Sequence, residues 1–363
     1  LDRLLAELRR EAETGGRLLG SFYFLLRELR RAGRSFTVCF RTFGVDLDAE
    51  VESEFNAFCA GRHPVFAGAG GGGGLLLDCS DGGPDHRMDL SDPASVGTFL
   101  RDEDGGISLV FGSREQPPPG RGVDFYEGRR GVEVHSGPLA AAMALEDRAL
   151  AGSRTLVLRD HYPGWARARF RGCGGKPVFL HVEDEDVLPV FFDDHARPAD
   201  PTIVDAIDPR DYPQRVPMAQ AFNVHLVKAN AIRSVAEPSY FWDELARCER
   251  AKREQLLRRR KAASLLHDTS AVRAVIDLLR GPEPEGEEGD AAPQALTPPP
   301  TLSRAVSRVP STMRFTSCSE GEAVRHCPPL SPEAAEHPTP ASTRVSSKAS
   351  LATASFARQL SPR

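Results

Sequence analysis

The sequence predicts an α/β domain: a parallel sheet flanked by helices, interrupted by an irregular insertion and followed by a disordered tail. Three observations carry this. First, short apolar runs such as Ser35 to Phe40 are followed by a polar turn and then by helix-periodic residues, which is the repeating unit of α/β folds. Second, Leu188 to Phe192 is nearly all apolar, as expected for a strand covered on both faces. Third, from about Gly281 Pro, Ser, Thr, Ala and Glu dominate and large apolar residues become sparse, so the segment cannot bury enough surface to offset its ordering entropy.

The elements follow in order. Residues 2–13 and 19–32 read as helices, with Leu4, Leu5 and Leu8, then Leu18, Phe22, Leu25, Leu26 and Leu29, at helical spacing. Arg30 and Arg31 suit the negative end of the second helix, and Gly33 is a natural stop. Strand 35–40 leads into Arg41-Thr42-Phe43-Gly44 and a helix from Asp46 to Cys59. Residues 67–74, alanine and glycine only, form a loop, as does 78–92. Strands are expected at 107–112, 132–135, 177–182, 188–192 and 223–229, and helices at 138–150, 160–171, 239–263 and 270–280. The resulting division is a core of 1–61 and 151–245, an irregular insertion of 62–150, C-terminal helices over 246–280 and a disordered Pro/Ser-rich tail over 281–363.

Composition narrows the function classes. A net charge of -5 over 363 residues does not suggest a nucleic-acid binder. No run of about 18 apolar residues is present, so no membrane-spanning helix is expected. The seven cysteines are scattered, with no zinc spacing among them, which fits a reducing compartment, the cytoplasm. The chain opens at Leu1 within an amphipathic pattern, and the expectation is that sequence upstream of it is missing.

Three constellations have chemistry in them. Val190-Phe191-Phe192-Asp193-Asp194 delivers two adjacent carboxylates from an apolar strand, at the edge where open α/β sheets bind ligands. Crowded carboxylates call for a cation or a proton, and Mg²⁺ is the natural hard partner of Asp193 and Asp194. An acidic turn after a core strand has the same residues. Thr42 stands past the end of an earlier strand, where a hydroxyl can bond a phosphate oxygen beside backbone N–H groups; a structural threonine in a turn reads the same way. Lys176, after Gly174-Gly175, can neutralise phosphate charge at a strand mouth, or simply sit on the surface. His63, His161, His195 and His225 have no ligand spacing.

In this order, the motifs resemble those of the HAD-like (haloacid dehalogenase-like) superfamily. Thr42 resembles its second motif, Lys176 its third, and Asp193 with Asp194 its fourth. The wider wording, with Glu54-Phe55-Asn56 and Gly61-Arg62-His63-Pro64, is similar to an uncharacterised HAD-like group of microbial eukaryotes. The resemblance covers about residues 19–245. It implies a Rossmann-like, HAD-type sheet and a Mg²⁺-dependent phosphate site acting on a phosphorylated small molecule or phosphoprotein, with Thr42 and Lys176 as catalytic residues and Asp193 and Asp194 as metal ligands. The family's first motif, an Asp-x-Asp after an amino-terminal strand, has no counterpart before Thr42. Asp46-Leu47-Asp48 reads as helix N-terminal acids instead. The expectation is a phosphohydrolase-type domain that is inactive for want of its nucleophilic Asp. The rival is a non-catalytic interaction protein binding through the basic helix, with its Arg258-Arg259-Arg260-Lys261 run, and the tail.

Overall fold

The computed structural model describes residues 16–63, 76–151, 155–198, 202–212, 214–267 and 352–358, the last seven and 265–267 by their backbone alone. The expected helices at 2–13 and 270–280 and the glycine run lie outside these residues, as does the tail apart from 352–358. The chain divides into two compact units, 1–260 with 340–363, and 261–339; the fold described here is that of the first.

Its centre is an eight-stranded mixed sheet. Strands β1 (Ser35–Thr42), β2 (Val96–Arg101), β3 (Ile107–Phe111), β4 (Glu133–Ser136), β5 (Leu156–Arg159), β7 (Val187–Asp193), β9 (Leu226–Lys228) and β10 (Ala352–Arg358) lie in the order β4-β3-β2-β5-β1-β10-β7-β9. β2, β5 and β1 run parallel, as do β7 and β9, while β10 is antiparallel to both β1 and β7. β1 and β7 therefore point the same way, one strand apart. β6 (Lys176–Phe179) and β8 (Val204–Ile207) form a separate parallel pair.

Helices cover both faces. On one face lie α1 (Gly20–Arg31), α2 (Ala49–Cys59) and the start of α7 (Tyr240–His267), burying Phe22, Leu26, Phe55 and Phe241 against Val38, Phe40, Val190 and Phe192. α1 ends where expected: Arg30 and Arg31 close its last turn, and Gly33 takes a φ of +63°. α2 is capped by Asp48, whose carboxylate accepts from the Glu50 and Val51 N–H groups at 3.1 Å each. The opposite face packs Cys39, Leu158 and Phe191 against α3 (Pro138–Leu150), β6 and β8. Short helices α4 (Tyr162–Arg167), α5 (Met218–Ala221) and α6 (Ala231–Ala236) complete the layers.

Four expectations change. The segment 62–150 is no irregular insertion: it supplies β2, β3 and β4 to the main sheet, and α3. Leu156–Arg159, unassigned from the sequence, is a central strand whose four residues are too few to show a period. The expected helix over 160–171 is helical only at 162–167, because Arg169 and Phe170 turn to positive φ. Within the segment read as a disordered tail, 352–358 forms β10, a seven-residue window that bulk composition conceals. The α7 helix also runs across the expected boundary at 246. No described helix is long and apolar enough to cross a membrane.

Candidate functional site

The carboxyl ends of β1, β5 and β7 bury Arg41, Thr42, Asp160, His161 and Asp193. β7 delivers Asp193 at its last position, buried, with Asp194 turning outward. Lys176 opens β6 and is almost wholly enclosed. Its Nζ donates to Asp193 Oδ2 at 2.9 Å and lies 5.3 Å from the Phe43 ring centre and 5.8 Å from that of Phe191. The other Asp193 oxygen accepts the His195 backbone N–H at 2.8 Å. Asp194 Oδ1 meets His195 Nδ1 at 2.8 Å, in solvent. The lysine and the first aspartate thus form a dry ion pair. Separating the partners would leave a buried uncompensated charge.

A second buried pair lies beside it. Arg41, one residue before Thr42, donates through Nε to Asp160 Oδ2 at 3.2 Å, and its terminal nitrogens reach Asp160 Oδ1 and the Pro177 carbonyl. Its guanidinium stacks on Phe99 and Phe191, 4.5 and 5.5 Å from their centres. Asp160 follows β5 as Asp193 ends β7. A third pair, Arg101 with Asp205 at 2.8 Å, joins β2 to β8, and Arg215 bonds the same carboxylate at 2.6 Å. Behind this network His161 accepts the Arg101 N–H on Nδ1 at 3.0 Å, and burial pushes its imidazole down to about 4.

Thr42 stands apart from Lys176 and Asp193. The β10 register puts Phe40 and Phe192 at one level, so Thr42 and Asp193 share the sheet edge at two strand spacings, about 10 Å. Phe40 and Phe192 pack on the α1 and α2 face, whereas Cys39 and Phe191 pack on the other. By alternation Thr42 turns to the first face and Asp193 to the second. The Thr42 hydroxyl donates to Asp46 Oδ2 at 3.0 Å and accepts from the Gly44 N–H at 2.9 Å. A Cβ at Gly44 would come within 2.6 Å of that Asp46 oxygen, so glycine is what lets the carboxylate fold back.

Of the four residues singled out from the sequence, the fold joins Lys176 to Asp193, leaves Asp194 on the surface with His195, and sets Thr42 apart. Arg41 and Asp160 were missed. Their signal was present, an arginine inside an apolar run and a short apolar run ending in Asp. Asp193, Asp194 and His195 can bring one ligand atom each within 4.8 Å of one another. Asp193 Oδ1 and the Asp194 carboxylate retain lone pairs for a hard cation, while the His195 imidazole suits softer metals than Mg²⁺. Two carboxylates are the donor type that a hard cation takes; of the pair, Asp193 is enclosed and joined to Lys176, and Asp194 is exposed. No family model, curated protein or solved structure matches the chain.

Proposed function

We propose that the chain is a HAD-like domain that binds a phosphorylated ligand at the carboxyl edge of its sheet and does not hydrolyse it unaided. The observation that carries this reading is the buried Lys176–Asp193 pair at the mouth of β7, on the same edge as Thr42. The Lys176 ammonium donates to one Asp193 oxygen and fixes the carboxylate's orientation, and the other oxygen accepts from the backbone of the following turn. Asp193 and Asp194 are the residues that would hold Mg²⁺, which neutralises phosphoryl oxygens as a Lewis acid when bound. Thr42 would offer its hydroxyl to a phosphoryl oxygen once its bond to Asp46 opens.

Attack on phosphorus needs a nucleophile between these groups. Among the described residues the strand between β1 and β7 is β10, and the residue pairing with Arg41 there is Ala352. The sequence before Thr42 has no Asp-x-Asp that could supply a nucleophile. Purified full-length chain should therefore bind Mn²⁺, a paramagnetic stand-in for Mg²⁺, by electron paramagnetic resonance titration, lose that binding in Asp193→Asn, and give no turnover of an aryl phosphate. Equal Mn²⁺ binding in Asp193→Asn would sink the metal assignment. Robust hydrolysis abolished by Asp193→Ala would sink the assignment of an absent nucleophile.

The rival reading, capture of partners by the basic helix, has less behind it. Arg247 bonds Glu244 at 2.6 Å, Arg259 bonds Gln220 at 2.8 Å, and Arg260 pairs with Glu185, so much of the helix's basic face is engaged within the chain.

A further inference from the structure

A cavity of about 180 Å³ opens at the carboxyl ends of β1 and β5, among Thr42, Gly44, Val45, Arg114 and Arg159. One ordered water needs on the order of 10–15 Å³ of such space, so the cavity has room for a polyatomic ion with its own waters. Thr42 and Arg159 are direct partners across the β1–β5 ladder, which puts their side chains side by side on one face. Arg114 comes from the segment after β3.

The charges here differ from those at the fully buried arginines among the described residues. Arg41 and Arg101 each hold an aspartate, at Asp160 and Asp205. Arg114 and Arg159 form no ion pair among the described residues. Their recorded bonds go only to backbone carbonyls, Arg114 to Leu47 O at 2.6 Å and Arg159 to Arg114 O at 3.3 Å. The Arg159 Nε is enclosed and has no hydrogen-bond partner among the described residues. Burial presses the Arg114 guanidinium below its ordinary value; the Glu52 charge opposes this, the neighbouring Arg159 adds to it, and Asp48 opposes it more weakly. Asp46, exposed at the rim, is tied to Thr42. Two adjacent half-buried guanidiniums without a carboxylate carry a desolvation cost that an anion would offset.

We infer that this cavity is a binding site for a tetrahedral oxoanion, a phosphate ion or the phosphate of an ester, held by Arg114, Arg159 and the Thr42 turn. Guanidinium forks match such ions through paired N–H donors. The site lies about 14 Å from Asp193, three strand spacings along the same edge, and does not rest on the Mg²⁺ reading.

Calorimetric titration of the full chain with inorganic phosphate at low salt and without divalent metal tests it. Saturable one-to-one binding is expected, competed by sulfate and not by acetate, and weakened about tenfold or more in Arg159→Gln. Phenyl phosphate distinguishes the two sources: equal or tighter binding than phosphate assigns the site to an ester, weaker binding to the free ion. Phosphate binding is read without divalent metal and Mn²⁺ binding without phosphate, so the failure of this site and that of the metal site are separable. Absence of phosphate binding at millimolar concentration overturns the proposal, as does unaltered affinity in a folded Arg159→Gln chain. Should Arg159→Gln not fold, Arg159→Lys and the rise of the unmodified chain's melting temperature with phosphate, against matched chloride, decide instead; no rise overturns the site.

Discussion

The mouth of β7 and the mouth of β1 and β5 lie on one sheet edge and treat charge in opposite ways. At β7, Lys176 and Asp193 neutralise one another in a dry setting walled by Phe43 and Phe191. At β1 and β5, Arg114 and Arg159 face a cavity and, among the described residues, hydrogen-bond only backbone carbonyls, with Glu52 and Asp48 acting on Arg114 without bonding it. At the first mouth an ammonium already offsets one charge of the aspartate pair; at the second, no carboxylate bonds either guanidinium among the described residues.

The contrast can be broken most severely at β7. Lys176→Met strands the Asp193 carboxylate, and loss of one partner of a buried pair costs about 3–5 kcal/mol. At about 2–4 °C per kcal/mol for a domain of this size, the melting temperature should fall by roughly 6–20 °C. The double variant Lys176→Met with Asp193→Leu should recover most of that loss, since apolar replacement of a whole pair is often neutral. A single variant as stable as the parent would mean that Lys176 and Asp193 are not a desolvated pair.

Acid should act next. Burial pushes the imidazoles of His86, His161 and His225 down to about 4. Arg30 near the first, Arg167 and Arg101 near the second, and Lys252 and Arg259 near the third push the same way. In the unfolded chain these groups take up protons near pH 6.5. Between pH 6.5 and 4 the unfolded state therefore binds more protons, and stability falls as pH is lowered through that window. Denaturant midpoints measured across it should decline, and His225→Gln should flatten the decline. A midpoint that holds steady from 6.5 to 4 would contradict the burial of these rings.

A smaller effect is expected at the Thr42 turn. Gly44→Ala sets a Cβ against the Asp46 carboxylate and should release the Thr42 hydroxyl, costing about 1 kcal/mol by urea unfolding. The smallest is expected at the open mouth. Arg159→Met should change stability by less than about 1 kcal/mol, or raise it, because it removes a half-buried charge that lacks a carboxylate. A large loss there would show that the two mouths are alike after all.

How much of this was legible depended on length and partnership. Long periodic segments declared themselves: Phe22, Leu25, Leu26 and Leu29 gave α1, and Pro138 to Leu150 gave α3 with its bounds. The strands Leu156–Arg159 and Val204–Ile207 are four residues each, too short for any period to appear. The Lys176–Asp193 pairing was legible only as two separate strand mouths, since nothing local says that a lysine 17 residues upstream will turn inward. The arginine cavity left no trace in the sequence, because the meaning of Arg114 and Arg159 lies in the carboxylates they lack. The Ala352–Arg358 strand was hidden for a different reason: its surroundings set the composition, and its pairing partners lie far away along the chain.

That strand also sets a timetable. β10 completes the sheet from a position roughly three hundred residues along from β1, and joining such distant segments requires closing a long loop before any pairing is gained. On the ribosome, β1 and β7 emerge with facing ladders of free N–H and C=O groups and must wait for a strand that has not yet been made. During that interval the middle of the sheet, usually the part of an α/β fold best sheltered from other chains, is the part most open to them.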